Sequence, residues 1–402
     1  MSHAHALPDA PAPLKVGGLV RLAALVAVVA GAGAFAWALT GGHPQLAWSA
    51  YLMGAFFALG LGAFGAAWMA ILYLSRGVWS VSMRRVPEAM ISWLLPGGVL
   101  ALLVAVGAPH LYHWADAEAV AGDALLTHKS AFLNLPLFYA LVGGSLALWL
   151  VLGLTLAMGS RRQDTQGGMA PTHRNRWVSA VFLLVFALGL SVVSFYLLMS
   201  LEAHWFSTMF AVLVFTDWMQ TGLAFVSVAV GLLVLSGQLK GFVNENHLHS
   251  LGKMLFATTG FWAYIYFCQF LLIWYANLPE ETAYFLRRYE HGWLAWLLFL
   301  PVVKFLVPFV LLVPREAKRS ARRLAAVAVL VLVAQFVELY VMVGPALGHG
   351  GHAAEAHLPL VELAVTAGFF GLFVLMFSFC LGRWGAVPLK DPMLGECLEY
   401  HT

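Results

Sequence analysis

Residues 48–74 read WSAYLMGAFFALGLGAFGAAWMAILYL, a stretch of 27 residues without a charged side chain. About 20 apolar residues in a helix cross the roughly 30 Å of hydrocarbon in a bilayer, so this stretch is long enough to span a membrane. Its apolar residues are continuous rather than alternating, and an open sheet could not satisfy its edges in lipid. The stretch therefore predicts a membrane-spanning helix.

The rest of the chain has the same character. Of its 402 residues, 61% are hydrophobic and 10% are charged, whereas an ordinary soluble domain has roughly 25% charged residues. We therefore expect an all-α integral membrane protein with ten transmembrane helices in a single membrane domain, residues 1–402. The predicted spans are Leu19–Leu39, Trp48–Leu74, Ala89–Val106, Ala131–Met158, Trp177–Leu198, Phe206–Ser236, Gly252–Tyr275, Trp293–Val313, Leu324–Val343 and Leu358–Leu381.

Composition also excludes several functions and cofactors. The net charge of +3 is too small to indicate nucleic-acid binding. The three cysteines have no short spacing, which excludes a disulfide framework, a CxxC metal clip, covalently attached haem and a four-cysteine iron–sulfur cluster. The 15 histidines lie in tails, in loops or within a turn of a span end, so they offer no facing mid-membrane pair for b-type haem.

The basic residues are distributed unevenly between the two sides. All but four of the 22 Lys and Arg residues lie in or next to the two tails and the loops after spans 2, 4, 6 and 8. Cytoplasmic segments carry the excess of Lys and Arg in membrane proteins. We therefore expect a multi-pass protein with both termini in the cytoplasm and with cytoplasmic tails at residues 1–18 and 382–402. The four exceptions are Lys129, Arg287, Arg288 and Lys304.

Three ionisable residues stand out inside predicted spans. Asp217 and Lys304 are each about 11 residues into their spans, which puts them about 16 Å below the non-cytoplasmic surface. Glu338 is one to two turns from the same surface. Ionisable groups in hydrocarbon are costly unless they are paired or hydrated, so these three are candidate functional residues.

Helical spacing puts further polar side chains on the same faces. Residues at i, i+3 and i+4 share one face of a helix, which predicts hydrated polar faces on spans 6 to 9. One interpretation is a proton pathway that begins near Glu338. The other is a buried Asp217–Lys304 ion pair that only fixes helix packing. Two prolines at i−3 and i+4 of Lys304 would free backbone carbonyls beside it. The proton-pathway candidates are Glu338, Asp217, Lys304, Gln335, Gln269, Gln220, Thr221 and Tyr266.

Two groups of loop residues suggest ligands. Four polar residues at the non-cytoplasmic end of spans 2 to 5 could hydrogen-bond a quinone headgroup, although their position favours interfacial anchoring of a helix end. These quinone candidates are His110, His113, Asp116 and Lys129.

A second group has metal-ligand residue types at irregular spacing, which favours a solvated loop over a zinc or copper site. It comprises His349, His352, Glu355 and His357.

Three motifs carry a resemblance to a known family. Residues 261–282 read FWAYIYFCQFLLIWYANLPEET, residues 128–136 read HKSAFLNLP and residues 199–208 read MSLEAHWFST. These motifs resemble, in order and spacing, the smaller NrfD-like membrane subunit of alternative complex III. That bacterial complex is a quinol:cytochrome c (or other high-potential acceptor) oxidoreductase. The resemblance runs from roughly Trp48 to the C-terminus.

The resemblance implies a polysulfide-reductase-like (NrfD-like) fold in the bacterial cytoplasmic (inner) membrane. In this fold spans 2–5 (residues 48–198) and spans 6–9 (residues 206–343) form two four-helix bundles, and the first and last spans (the last at 358–381) are peripheral. It also implies a proton half-channel, in which Glu338 matches a family acid. Lys304 and Asp217 are not family features, so they could form a branch-specific pair.

The resemblance also implies partners. These would be the larger NrfD-like membrane subunit, an iron–sulfur subunit, and multihaem and monohaem cytochrome c subunits, together with membrane lipids. The smaller NrfD-like subunit has no haem or cluster, so a quinone (menaquinone or ubiquinone) or a lipid would be bound nearby rather than through metal ligands. Catalysis would then belong to the assembled complex. The competing interpretations are a purely structural anchor subunit and a free-standing secondary transporter, which would require inverted repeats that the sequence does not show.

Overall fold

A computed structural model describes residues 12–348, 352–383 and 385–401. Within these ranges the secondary structure is helical without strands, and ten helices are long and apolar enough to cross a membrane. The prediction of an all-α, multi-pass membrane protein is thus confirmed. We number the ten helices α1 to α10. Their bounds are Gly18–Thr40, Pro44–Leu74, Arg85–Leu111, Leu135–Gln166, Ala170–Leu197, Phe210–Leu235, Glu245–Ala276, Trp293–Leu312, Ala321–Leu347 and Leu360–Leu381.

Several helices begin at residues other than the predicted ones. The seventh begins at Glu245, seven residues before the predicted start, because Asn244 and His247 form a capping box that exchanges side-chain and backbone hydrogen bonds. The fourth begins at Leu135 rather than at Ala131. There the Asn134 side chain accepts the N–H of Leu137 at 2.8 Å and fixes the first turn.

Two of the spanning helices are internally irregular. α3 consists of two α-helical segments, a 3-10 segment at Leu103–Gly107 and a final short turn. α8 contains a π-helical segment at Val302–Leu306, which lies between Pro301 and Pro308. A proline removes one backbone hydrogen bond and crowds the preceding turn, so this local widening has a direct cause in the sequence.

α2 is the most buried helix and packs against α3, α5, α6 and α10. α6 packs mainly against α9 and α7, and α4 packs against α5. α1 and α10 pack along each other, where glycines allow a close approach. A Cβ added at Gly31 would lie 2.7 Å from the Ala364 carbonyl oxygen, so small residues are required at this contact.

Both terminal segments lie at the same end of the helices, which we call the terminal end. The Lys15 N–H donates to the Gln238 side chain at 2.6 Å, in the loop after α6. Asp391, in the C-terminal segment, forms an ion pair with Arg84, which precedes α3. We call the other end of the helices the opposite end. The sequence predicts that the terminal end is cytoplasmic.

Candidate functional site

A cluster of charged side chains lies between α6, α8 and α9. The side chain of Lys304 is completely buried, and those of Asp217 and Glu338 are 2% and 1% exposed. Lys304 Nζ lies 2.8 Å from Asp217 Oδ1 and forms a second ion pair with the Glu338 carboxylate. It also donates to Gln335 Oε1 at 2.7 Å. These charges therefore face one another and not lipid. We call these four residues the charge cluster.

Neighbouring donors orient the acceptors of the charge cluster. The indole N–H of Trp262, on α7, donates to Glu338 Oε1 at 2.9 Å. The Thr221 hydroxyl donates to Gln335 Oε1 at 2.7 Å. The ammonium of Lys304 also lies 4.9 Å from the centroid of the Trp262 ring, within the range of a cation–π interaction. Four helices, α6 to α9, thus contribute side chains to one buried polar network.

The π-helical segment of α8 joins the same network through its backbone. Pro308 stands at i+4 of Lys304 and has no N–H, so the Lys304 carbonyl lacks its usual helical partner. Gln220 Nε2 donates to that carbonyl at 3.0 Å, and also to the Thr259 hydroxyl at 3.1 Å. The effect of the proline could be predicted from sequence, whereas the identity of the replacement donor could not.

A small cavity adjoins the charge cluster on the side of the opposite end. Its volume is about 20 Å³, and its lining includes Glu338, Tyr266, Gln269 and Arg288. Within the described ranges, the Tyr266 hydroxyl and Gln269 Oε1 are buried and hydrogen-bond to no protein group. A cavity of at least about 15 Å³ with several polar partners can hold a water molecule. We call this the inner cavity.

An ion pair that the sequence did not single out lies on the far side of the inner cavity. The guanidinium of Arg288 is 1% exposed and donates to Glu202 Oε1 at 2.9 Å. It also donates to the backbone carbonyls of Val341 and Met342 at 3.1 and 2.9 Å. It lies 3.4 Å from the centroid of the Tyr284 ring. Few Lys and Arg residues lie in the loops of the opposite end. An arginine in one of these loops was therefore the sequence feature that could have indicated the ion pair.

A wider cavity of about 570 Å³ begins at Glu202 and lies among the loops of the opposite end. Its lining also includes His113, Asp123, His204 and Arg287. The backbone N–H groups of the turn that Asp123 caps, together with His204 at 2.6 Å, hold the pKa of the Asp123 carboxyl below its usual value. We call this the outer cavity.

The quinone candidates lie at the opposite end, and the outer cavity includes His113 among them. Asp116 accepts the N–H of Glu118 at 3.0 Å and so caps a short helix. Lys129 donates to the Ala203 carbonyl at 2.6 Å. His110, His113 and Asp116 are exposed. These contacts match those of residues that order the ends of helices and loops, and quinone binding stays a prediction.

A second buried charged network lies at the terminal end. Arg85 donates to Glu88 at 2.6 Å and forms an ion pair with Asp164. The Ser160 hydroxyl donates to Glu88, and Arg85 Nε donates to the Gly385 carbonyl at 3.2 Å. This network joins α3, α4 and the C-terminal segment. The i, i+3 spacing of Arg85 and Glu88 was the only part of it visible in the sequence.

The histidine-rich segment before α10 divides into two parts, and His349 lies outside the described residues. The backbone N–H and carbonyl of His357 hydrogen-bond to the Tyr340 hydroxyl at 3.1 and 2.7 Å, which attaches this residue to α9. His352 is 74% exposed and approaches Glu290 in the loop before α8, at 3.5 Å.

A comparison with models of known protein families finds none that matches the chain, and a comparison with curated proteins finds no similar sequence. Membership of the alternative complex III family therefore stays a prediction that depends on the three motifs. The geometry of the charge cluster and its cavities does not depend on that resemblance.

Proposed function

We propose that this chain is a cofactor-free membrane subunit of a respiratory quinol-oxidising complex, and that it carries a proton half-channel. By half-channel we mean a hydrated path from one membrane face that stops at a buried proton-exchanging group. The resemblance to the smaller NrfD-like subunit supports the assignment to the complex. The charge cluster supports the half-channel, and this support does not depend on which membrane complex contains the chain.

The balance of charge in the cluster is the observation that carries the proposal. One ammonium, on Lys304, faces two carboxylates, on Asp217 and Glu338. Full ionisation of all three groups leaves one uncompensated negative charge in a site of low dielectric, and such a charge is costly. Binding of one proton makes the cluster neutral. The cluster is therefore suited to taking up and releasing a single proton.

A path for that proton leads from the opposite end to Glu338. It begins in the outer cavity, passes the Glu202–Arg288 ion pair, and enters the inner cavity beside Tyr266 and Gln269. A water molecule in the inner cavity would have the Tyr266 hydroxyl, Gln269 Oε1 and the Glu338 carboxylate as partners. This number of polar partners is typical of buried water in proteins.

Beyond the cluster, towards the terminal end, the interior around α6 is mostly apolar. The residues of α6 that follow Thr221 are mostly buried and hydrophobic, among them Leu223, Phe225 and Val230. The ring of Phe64 fills the space beside Gly222, where an added Cβ would lie 1.9 Å from the ring. Among the described residues of α6 beyond Thr221, Ser227 is the buried polar side chain, and one hydroxyl among apolar side chains does not form a continuous path for a proton, which is why we propose half of a channel rather than a complete one.

The finer architecture belongs to the same proposal. In it, spans 2–5 and 6–9 form two four-helix bundles in the bacterial cytoplasmic membrane, with the terminal end in the cytoplasm. The large apolar side chains exposed on the outer helices, such as Trp177, Leu184, Tyr264 and Leu298, would contact lipid or partner subunits. A quinone would bind beside the chain, at its interface with the larger NrfD-like subunit.

Infrared difference spectroscopy tests the half-channel. The full chain is reconstituted in one orientation, and the carbonyl band of a protonated carboxylic acid is followed as the pH is stepped on one side of the membrane. We expect a band that responds to the opposite side and is lost in Glu338→Gln. Arg288→Met should change how fast it responds. The exposed Glu396 provides a matched control, and Glu396→Gln should leave the band unchanged. The same band in Glu338→Gln would overturn the proposal.

Purification from the native membrane tests the assignment to a complex. A subunit should be isolated together with c-type haem and iron–sulfur proteins, whereas a transporter should be isolated alone. This outcome is independent of the infrared result, so a failed complex assignment and a failed half-channel can be told apart.

A purely structural anchor is the second candidate, and one observation favours it. The Lys304 ammonium donates to Asp217 and Gln335 and forms an ion pair with Glu338, so each of the three other members of the cluster contacts the one cation. A network with matched donors and acceptors can hold helices in register without exchanging protons. An anchor predicts no carboxylic-acid band that follows the external pH, whereas the half-channel requires one.

A further inference from the structure

Three metal-ligand side chains meet at the surface of the opposite end. Glu290 and His291 lie in the loop between α7 and α8, and His352 lies in the segment before α10. Glu290 Oε2 is 3.5 Å from His352 Nδ1 and 3.9 Å from His291 Nε2. All three ligand atoms lie within 4.8 Å of one another. We propose that Glu290, His291 and His352 bind a zinc ion.

The donor set and its dimensions fit that ion. Zinc is commonly bound by imidazole nitrogen and carboxylate oxygen at about 2.0–2.1 Å, in tetrahedral geometry, so its ligand atoms lie roughly 3.3 Å apart. The distance of 3.5 Å between Glu290 Oε2 and His352 Nδ1 is close to this separation, and the His291 ring would have to move closer. The side chains of His291 and His352 are 51% and 74% exposed, so their rings can turn inward without disturbing the core. Two histidines and one glutamate leave the fourth position for water or another ligand.

The backbone holds the two segments together without a metal. The N–H of Ala356 donates to the His291 carbonyl at 3.0 Å, and the N–H of Ala353 lies 3.5 Å from Glu290 Oε2. The indole N–H of Trp293 donates to the Ala354 carbonyl at 2.6 Å. A site whose ligands are already positioned loses little conformational entropy when the ion binds.

A zinc ion at this place would fasten the segment before α10 to the loop before α8. The sequence could not reveal the site, because two of its three ligands come from a loop about 60 residues before the histidine-rich segment. The site is separate from the charge cluster, and the proposal does not depend on the proposed function.

Zinc binding by the purified full chain tests the inference. The chain carries a non-histidine affinity tag, is stripped with a chelator, and is dialysed against zinc chloride at pH 7.5. Bound zinc is then measured by mass spectrometry. We expect one tightly bound zinc per chain, and loss of that equivalent in His291→Ala/His352→Ala. A control that removes two other exposed histidines, His43→Ala/His128→Ala, should keep it.

A second measurement guards against a variant that has lost its structure. Zinc should slow hydrogen exchange in residues 352–357 of the unaltered chain and have no such effect in Glu290→Gln. Circular dichroism should show the same helix content in every variant. Equal zinc binding by the His291→Ala/His352→Ala chain, or no zinc binding by the unaltered chain, would overturn the inference.

Discussion

Replacement of Lys304 by methionine is the sharpest test of the charge cluster. Methionine keeps most of the volume of the side chain and removes its charge and its donors. Breaking a buried ion pair by removing one partner costs about 3–5 kcal/mol. Here the ammonium serves both Asp217 and Glu338, so its loss leaves two buried carboxylates side by side. We therefore expect a cost near the upper end, about 5 kcal/mol of unfolding free energy.

The same substitution should behave differently once the carboxylates are neutral. In an Asp217→Asn/Glu338→Gln background the ammonium is itself the unpaired buried charge, so Lys304→Met should cost little or should stabilise the chain. Reversible unfolding in mixed micelles, followed by circular dichroism, gives the four unfolding free energies of the cycle. Lys253 is exposed on α7, and Lys253→Met should change stability by less than about 0.5 kcal/mol. An equal cost of Lys304→Met in both backgrounds would refute the pairing.

Three further predictions concern other parts of the chain. Gly31→Leu should lower the free energy of unfolding by about 1–3 kcal/mol, because the larger side chain overpacks the contact with α10. At Gly33 an added Cβ meets nothing within 4 Å, so Gly33→Leu should leave that free energy unchanged. Unfolding in mixed micelles measures both variants. Asp391→Asn removes the ion pair of the C-terminal segment with Arg84, so proteases should cleave that segment faster while the spanning helices stay protected. The folded pKa of Asp123 is lowered, so its contribution to loop stability is present above the ordinary pKa of aspartate, about 4, and is lost as pH falls through the folded value. Protection of that loop against hydrogen exchange, taken relative to the intrinsic exchange rate at each pH, should therefore fall below about pH 4, and Asp123→Asn should remove this dependence.

The ten helices could be predicted from sequence because hydrocarbon imposes both a length and a composition on each span. Their ends could not, because capping depends on single side chains such as Asn134 and Asn244. Hydropathy detects the part of a helix that lies in lipid, whereas the hydrogen bonds of a cap extend the helix into water. The difference of seven residues at the start of α7 has this origin.

The charge cluster could be predicted in part. The cost of isolated charges in hydrocarbon requires that Lys304 and Asp217 find partners, and helical spacing identifies which side chains share a face. It does not show how the helices are rotated relative to one another. For that reason the pairing of Glu338 with the same ammonium, and the role of Trp262 as its donor, required coordinates. Arg288 was overlooked because a loop position gives no indication that its side chain is buried.

The position of α10 has a consequence for how the chain is made. α10 packs against both α1 and α2, although more than 280 residues separate it from them in the sequence. At about 5–20 residues per second, a ribosome would take roughly 15–60 s to complete α10 after α2 has emerged. During that interval the glycine-lined face of α1 has no permanent neighbour. The contact between α1 and α10 therefore forms only after the eight helices between them have been made, and until then lipid has to cover the face of α1 that α10 will occupy.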